Sequence, residues 1–197
     1  MNAASIAAAG RFHVVVLALL ALMMAATRYH HFGSALHLPD ASLAVFFAAG
    51  FYLRQRWPLA LVRGEAALID YLATGASGAG GWCISPAYPF LIPAYAAMWL
   101  GGRWYSARHD TGWPAVTALV TVLAIAGSAA FLISNGSFYL LSGAFPDLSW
   151  AQFTARAALY YWPYLSSAFV YLASIALVHT LVVAAMRARG LGRMPLQ

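Results

Sequence analysis

Mostly apolar runs alternate with short polar or glycine-rich breaks along the whole chain. Most runs approach the ~20 residues that a bilayer core requires of a helix. The pattern predicts six spans, at about 11–27, 41–53, 59–74, 85–102, 113–133 and 163–186. The breaks that join spans 1–2, 3–4 and 5–6 fall at about 28–40, 75–84 and 134–150. Span 2 is short and aromatic, with Phe46, Phe47, Phe51 and Tyr52. Pro86 suits the first turn of span 4, and Pro93 is expected to kink it. Between Leu148 and Ala188 the one strong breaker is Pro163. Unbroken, that stretch would reach ~60 Å, about twice a bilayer core. It is therefore expected to bend or break near Pro163. Asp147, just ahead of it, is a candidate helix cap.

Composition agrees with this pattern. Of 197 residues, 63% are hydrophobic and 8% charged. So few charges cannot clothe a water-soluble core of this size, which leaves an all-α polytopic membrane protein forming one integral domain over 1–197.

Charge then orients it. The net charge is +6, and the basic side chains are all arginine. With six spans, both termini and the second and fourth breaks share one side. That side collects Arg11, Arg54, Arg56, Arg63, Arg103, Arg108, Arg187, Arg189 and Arg193. Arg28 and Arg156 fall on the other. The positive-inside rule places both termini in the cytoplasm and the three longer loops outside. The same charge would suit nucleic acid only as a basic patch interleaved with aromatics in a soluble segment, and there is none, so no nucleic-acid partner is expected.

The chemistry concentrates in YLATGASGAGGWCISPAYPFLIP, residues 71–93, which holds the only cysteine, Cys83. Glycines precede the thiol and prolines follow it, so a permissive backbone presents one sulfur between two spans. One cysteine cannot form an intramolecular disulfide. The plain reading is a buried, inert thiol. The functional one starts from softness, since thiolate suits a polarizable metal. A bare ion in a closed site needs about four protein ligands. A metal already held in an organic ring needs one axial ligand, which a lone cysteine can supply. The outer loops also carry His30, His31, His37 and many aromatics, a surface suited to a large amphipathic ligand. Asp70 lies within span 3, where an acid is costly; it either contacts ligand or satisfies a structural partner.

Six short spans, long outer loops and a small-xxx-small motif (Ala21, Ala25) in span 1 resemble the substrate-binding S-components of energy-coupling factor (ECF) transporters. The stretch GAGGWCISPAYPF resembles the BtuM-type cobalamin transporters. The resemblance implies vitamin B12 uptake across a bacterial inner membrane, with Cys83 as axial ligand of cobalt and His31, or equally its neighbour His30, as a weaker second loop contact. Cobalamin is then the transported ligand, the protein has no cofactor of its own, and it is a transporter rather than an enzyme. Ala21 and Ala25 match the motif that meets the transmembrane coupling subunit. No GxxxxGK[ST] occurs in the chain. An ATP-driven step must therefore come from an ECF module with its two ATPases, unless the protein works in the bilayer without one. Loops 1, 3 and 5 are expected to converge on one cavity, with Asp70, Tyr88, Tyr139, Phe145 and Asp147 as further contacts. A thiolate on cobalt should displace the ligand's own base and loosen cyanide on the opposite face, an ancillary decyanation. A carrier of another vitamin or metal chelate, a bare-metal transporter and a membrane enzyme stay open as other readings.

Overall fold

The computed structural model describes residues 3–30, 39–53, 55, 57–77, 85–108 and 112–189, without the side chains of 3–9, 29, 30 and 73–77. Among the described residues the order is α1 (Ala3–His30), α2 (Ser42–Tyr52), α3 (Trp57–Ser77), a 3-10 turn (Tyr88–Phe90), α4 (Leu91–Arg108), α5 (Trp113–Leu141) and α6 (Trp150–Ala188), with no strand. The Gly10–Arg28 stretch of α1, together with α5 and α6, is long and apolar enough to cross a membrane. Helix α2 is not: its 11 residues reach ~16 Å, half a bilayer core.

Helix α2 is instead the centre of the bundle. Residues 41–50 are all buried, as a helix apolar on every side must be. It packs on α1, α3, α4 and α6. Its seam with α4 is set by two glycines. A Cβ on Gly50 would stand 2.0 Å from the carbonyl oxygen of Trp99, and one on Gly102 would stand 1.9 Å from that of Phe47. Neither position tolerates a side chain while the two backbones lie this close. Phe46, Phe47 and Met98 fill the rest of the seam with no exposed surface to speak of. Phe46 stacks on Tyr95 with centroids 4.2 Å apart. Helix α4 then meets α5 at Gly101, where a Cβ would come within 2.8 Å of Ala126 Cβ.

Helices α5 and α6 form an antiparallel hairpin that departs from the sequence pattern in three places. Residues 134–141, expected in a loop, continue α5. Ser134 and Ser137 return their hydroxyls to the carbonyls of Phe131 and Ser134, at 3.3 and 3.0 Å, so these polar residues do not end the helix. The chain turns at Gly143, whose φ is +72°. Next, the 39 residues of α6 run through Pro163 without the expected break. One proline removes one N–H, and packing on both sides of it holds the helix. Tyr161 and Tyr164 set their rings against Phe131, at 5.2 and 5.3 Å. Finally, Ser149 rather than Asp147 caps α6, its hydroxyl accepting the Gln152 N–H at 3.2 Å.

Beyond Pro163 the helix descends along the bundle. The Tyr171 hydroxyl donates to the Pro39 carbonyl at 2.8 Å, ahead of α2. His179 Nδ1 lies 3.0 Å from the Tyr52 hydroxyl at the far end of α2.

Candidate functional site

Where α1 ends and α2 begins, four helices and the 3-10 turn meet around one guanidinium. Arg28 sits in the last turns of α1, where the helix dipole favours a cation. It is 7% exposed, and Asp70 of α3 is 8% exposed. The two are paired twice over: Arg28 Nε donates to Asp70 Oδ1 and Nη2 to Oδ2, both at 2.6 Å. The remaining terminal nitrogen, Nη1, donates to Ser42 Oγ at 2.7 Å and to the Tyr95 hydroxyl at 2.8 Å, with Asp40 Oδ2 at 3.4 Å. Tyr88, in the 3-10 turn, donates its phenol proton to Asp70 Oδ2 at 2.8 Å.

Local sequence prepares each partner. Asp40 precedes α2 and accepts the Ser42 N–H at 2.9 Å and the Ser42 hydroxyl at 2.6 Å, so it satisfies the first amide of the helix and orients the serine. Thr27, one residue before Arg28, accepts the Ala41 N–H at 3.2 Å and ties the start of α2 to the end of α1. Stacking on Phe46 fixes the Tyr95 ring. Each guanidinium nitrogen of Arg28 thus meets an acceptor from another part of the chain, as a charge withdrawn from water requires.

The sequence-predicted residues fall into three groups. Asp70 and Tyr88 meet in this cluster. Tyr139 and Phe145 meet elsewhere, at the tip of the α5–α6 hairpin. There the Tyr139 oxygen lies 2.7 Å from Gln152 Oε1 and accepts the Ser149 N–H at 2.7 Å. Phe145 packs on Tyr139 at 4.9 Å, with the Arg156 guanidinium 4.5 Å above its ring. Asp147 is exposed in the turn between them. Cys83 and His31 lie outside the described residues, as do His37 and the side chain of His30, and with them the expected convergence of the loops on Cys83.

Clefts open in the described part at the hairpin tip and beside α3. One, about 390 Å³, lies at the hairpin tip between Tyr139, Leu148, Trp150 and Phe153. The other, about 330 Å³, lies between α3 and the start of α4, with Arg63, Gly64, Tyr88 and Ile92 in its wall. Both are at the small end of the ~300–1,000 Å³ usual for ligand pockets. Among the described residues no group of three or more His, Cys, Asp and Glu side chains could hold a bare metal ion.

Ala21 and Ala25 are half-buried on α1, beside a fully exposed stripe that includes Val14, Leu19 and Leu22.

Sequence reasoning missed Arg28, counting it only as a charge on the less basic side. The signal was present in Asp70, since an acid inside a span needs a cation at its own depth. Arg28 and Arg156 were the only arginines assigned to that side.

The class these observations define is an all-helical protein with, among the described residues, three helices long and apolar enough to cross a membrane. No family model matches the chain, and no curated protein matches it.

Proposed function

We propose that the protein is a membrane carrier that takes up cobalamin across a bacterial inner membrane. In this reading it captures the corrinoid on the periplasmic side with Cys83 as axial ligand, as an S-component-like bundle of six helices with both termini in the cytoplasm. The observation that carries the proposal is the Arg28 cluster. It joins the residues on either side of segment 31–38 to those on either side of 78–84. Arg28 and Asp40 flank the histidine segment; Asp70 and Tyr88 flank the cysteine segment. The described residues that flank the two segments richest in ligand chemistry therefore meet at one end of the bundle. The half-buried Tyr88 and the sequence stretch GAGGWCISPAYPF support this reading.

The chemistry follows from sulfur. Thiolate on Co(III) occupies the position of the ligand's own nucleotide base, so cobalamin binds base-off. Electron donation from sulfur weakens cyanide on the opposite face, and the metal itself stabilises the deprotonated thiol. The test is the absorption spectrum of purified protein mixed with cyanocobalamin, for wild type and Cys83→Ser. A cysteine-dependent change with slow cyanide release is expected; identical spectra would overturn the role of Cys83. Rescue of a cobalamin-auxotrophic bacterium lacking its own transporter separates this carrier from one for another vitamin or chelate. Labelling of ligand-free Cys83 by an impermeant thiol reagent from the periplasm tests the orientation. A bulky residue at Ala21 or Ala25 should lower uptake and spare binding in detergent if that face meets a coupling subunit.

A further inference from the structure

We infer that Arg28 is a positioning residue of the ligand site, acting on bound ligand only through Asp70 and Tyr88. The inference rests on the carrier reading above. Its basis is the direction of the hydrogen bonds. Arg28 grips both oxygens of Asp70, which fixes the plane of the carboxylate. One of those oxygens also accepts the Tyr88 phenol proton, which fixes the phenol. The relay runs from a buried cation through a buried acid to a half-buried tyrosine. With its proton committed to Asp70, the Tyr88 oxygen keeps lone pairs that can accept a donor such as an amide N–H of a ligand, and Tyr88 lines the cleft between α3 and the start of α4. The other arm of the guanidinium points away from this relay. Nη1 serves Ser42, Tyr95 and Asp40, which hold α1 to α2 and α4. One side chain thus divides a positioning arm from a scaffold arm, and the two can be cut separately.

Lysine keeps the charge of Arg28 but offers three donors from a point, not a planar fork, so it cannot hold both carboxylate oxygens and the Nη1 acceptors together. The full chain in detergent is titrated with cyanocobalamin as wild type, Arg28→Lys and Ser42→Ala. Loss of the fork is expected to weaken binding about tenfold. Ser42→Ala, which cuts only the scaffold arm, is expected to lower the thermal midpoint and leave Kd within about twofold. Unchanged binding in Arg28→Lys, or equal loss in Ser42→Ala, would overturn the inference. If Arg28→Lys does not fold, Asp70→Glu takes its place. It keeps the ion pair but moves the carboxylate away from Tyr88, and again weaker binding supports the relay while unchanged binding refutes it. Amide hydrogen exchange over residues 88–92, short of Tyr95 on the scaffold arm, needs no corrinoid. Faster exchange in Arg28→Lys but not in Ser42→Ala supports the relay, and no difference between them counts against it. If the wild type itself binds no cyanocobalamin, the carrier reading fails, and the exchange measurement still decides what Arg28 positions.

Discussion

The α2–α4 seam and the Arg28 cluster hold neighbouring parts of one bundle by opposite means. The seam is buried and nearly without polar side chains, and two glycines bring its backbones together. The cluster is built from an arginine, two acids, a serine and two tyrosines, and its elements are joined by directed bonds. In lipid, apolar burial alone does not favour helix on helix over helix on lipid, because acyl chains are as apolar as leucine. What remains is close packing, which the seam uses, and satisfied polarity, which the cluster uses. The seam tolerates no added volume, whereas the cluster tolerates no missing partner.

Removing a single partner from the cluster should have the largest effect. Arg28→Leu leaves the buried Asp70 carboxylate without its guanidinium, for an expected loss of about 3–5 kcal/mol. The measurement is thermal stability of the purified protein in detergent. The double variant Arg28→Leu/Asp70→Leu should recover most of that loss, since a buried pair exchanged for apolar side chains is often close to neutral. If the double variant is as unstable as the single, the cluster is holding by shape and the contrast with the seam disappears.

Adding one methyl to the seam comes next. Gly102→Ala places a Cβ against the Phe47 carbonyl and forces the helices apart, for about 1–3 kcal/mol. The comparison sharpens with Gly64→Ala on α3, where nothing lies within 4 Å of the added Cβ. That variant should be neutral or slightly stabilising, because alanine is the better helix former. Equal losses at the two glycines would mean that helix propensity, not the seam, is being measured.

Smaller effects belong to single polar links outside both regions. Ser149→Ala removes the cap of α6 and should cost about 1 kcal/mol. Tyr52→Phe removes the contact with His179 and should cost about 0.6 kcal/mol, the average for an interhelical hydrogen bond in a membrane protein. Both can be read in the same melts. A loss at Tyr52 as large as that at Arg28 would make the opposite end of α2 a second polar anchor.

The sequence by itself determined the helical class and roughly where the helices lie, because that information is local. Apolar runs of sufficient length with arginines between them leave few alternatives to helices that cross a bilayer. It also marked Asp70 as a residue that had to be explained, since an acid in an apolar run is costly wherever it points. Tertiary structure decided the rest. Ser134, Gly136 and Ser137 read as loop residues, yet their helix persists because the hydroxyls bond back to it and α6 packs alongside. Pro163 reads as a break, yet contacts with Phe131 carry the helix past it. Helix α2 reads as a short span, and only its neighbours make it a core. The pairing of Arg28 with Asp70 joins residues 42 positions apart. No local pattern specifies such a pair, because the energy that selects it arises only when the helices have met and water has left.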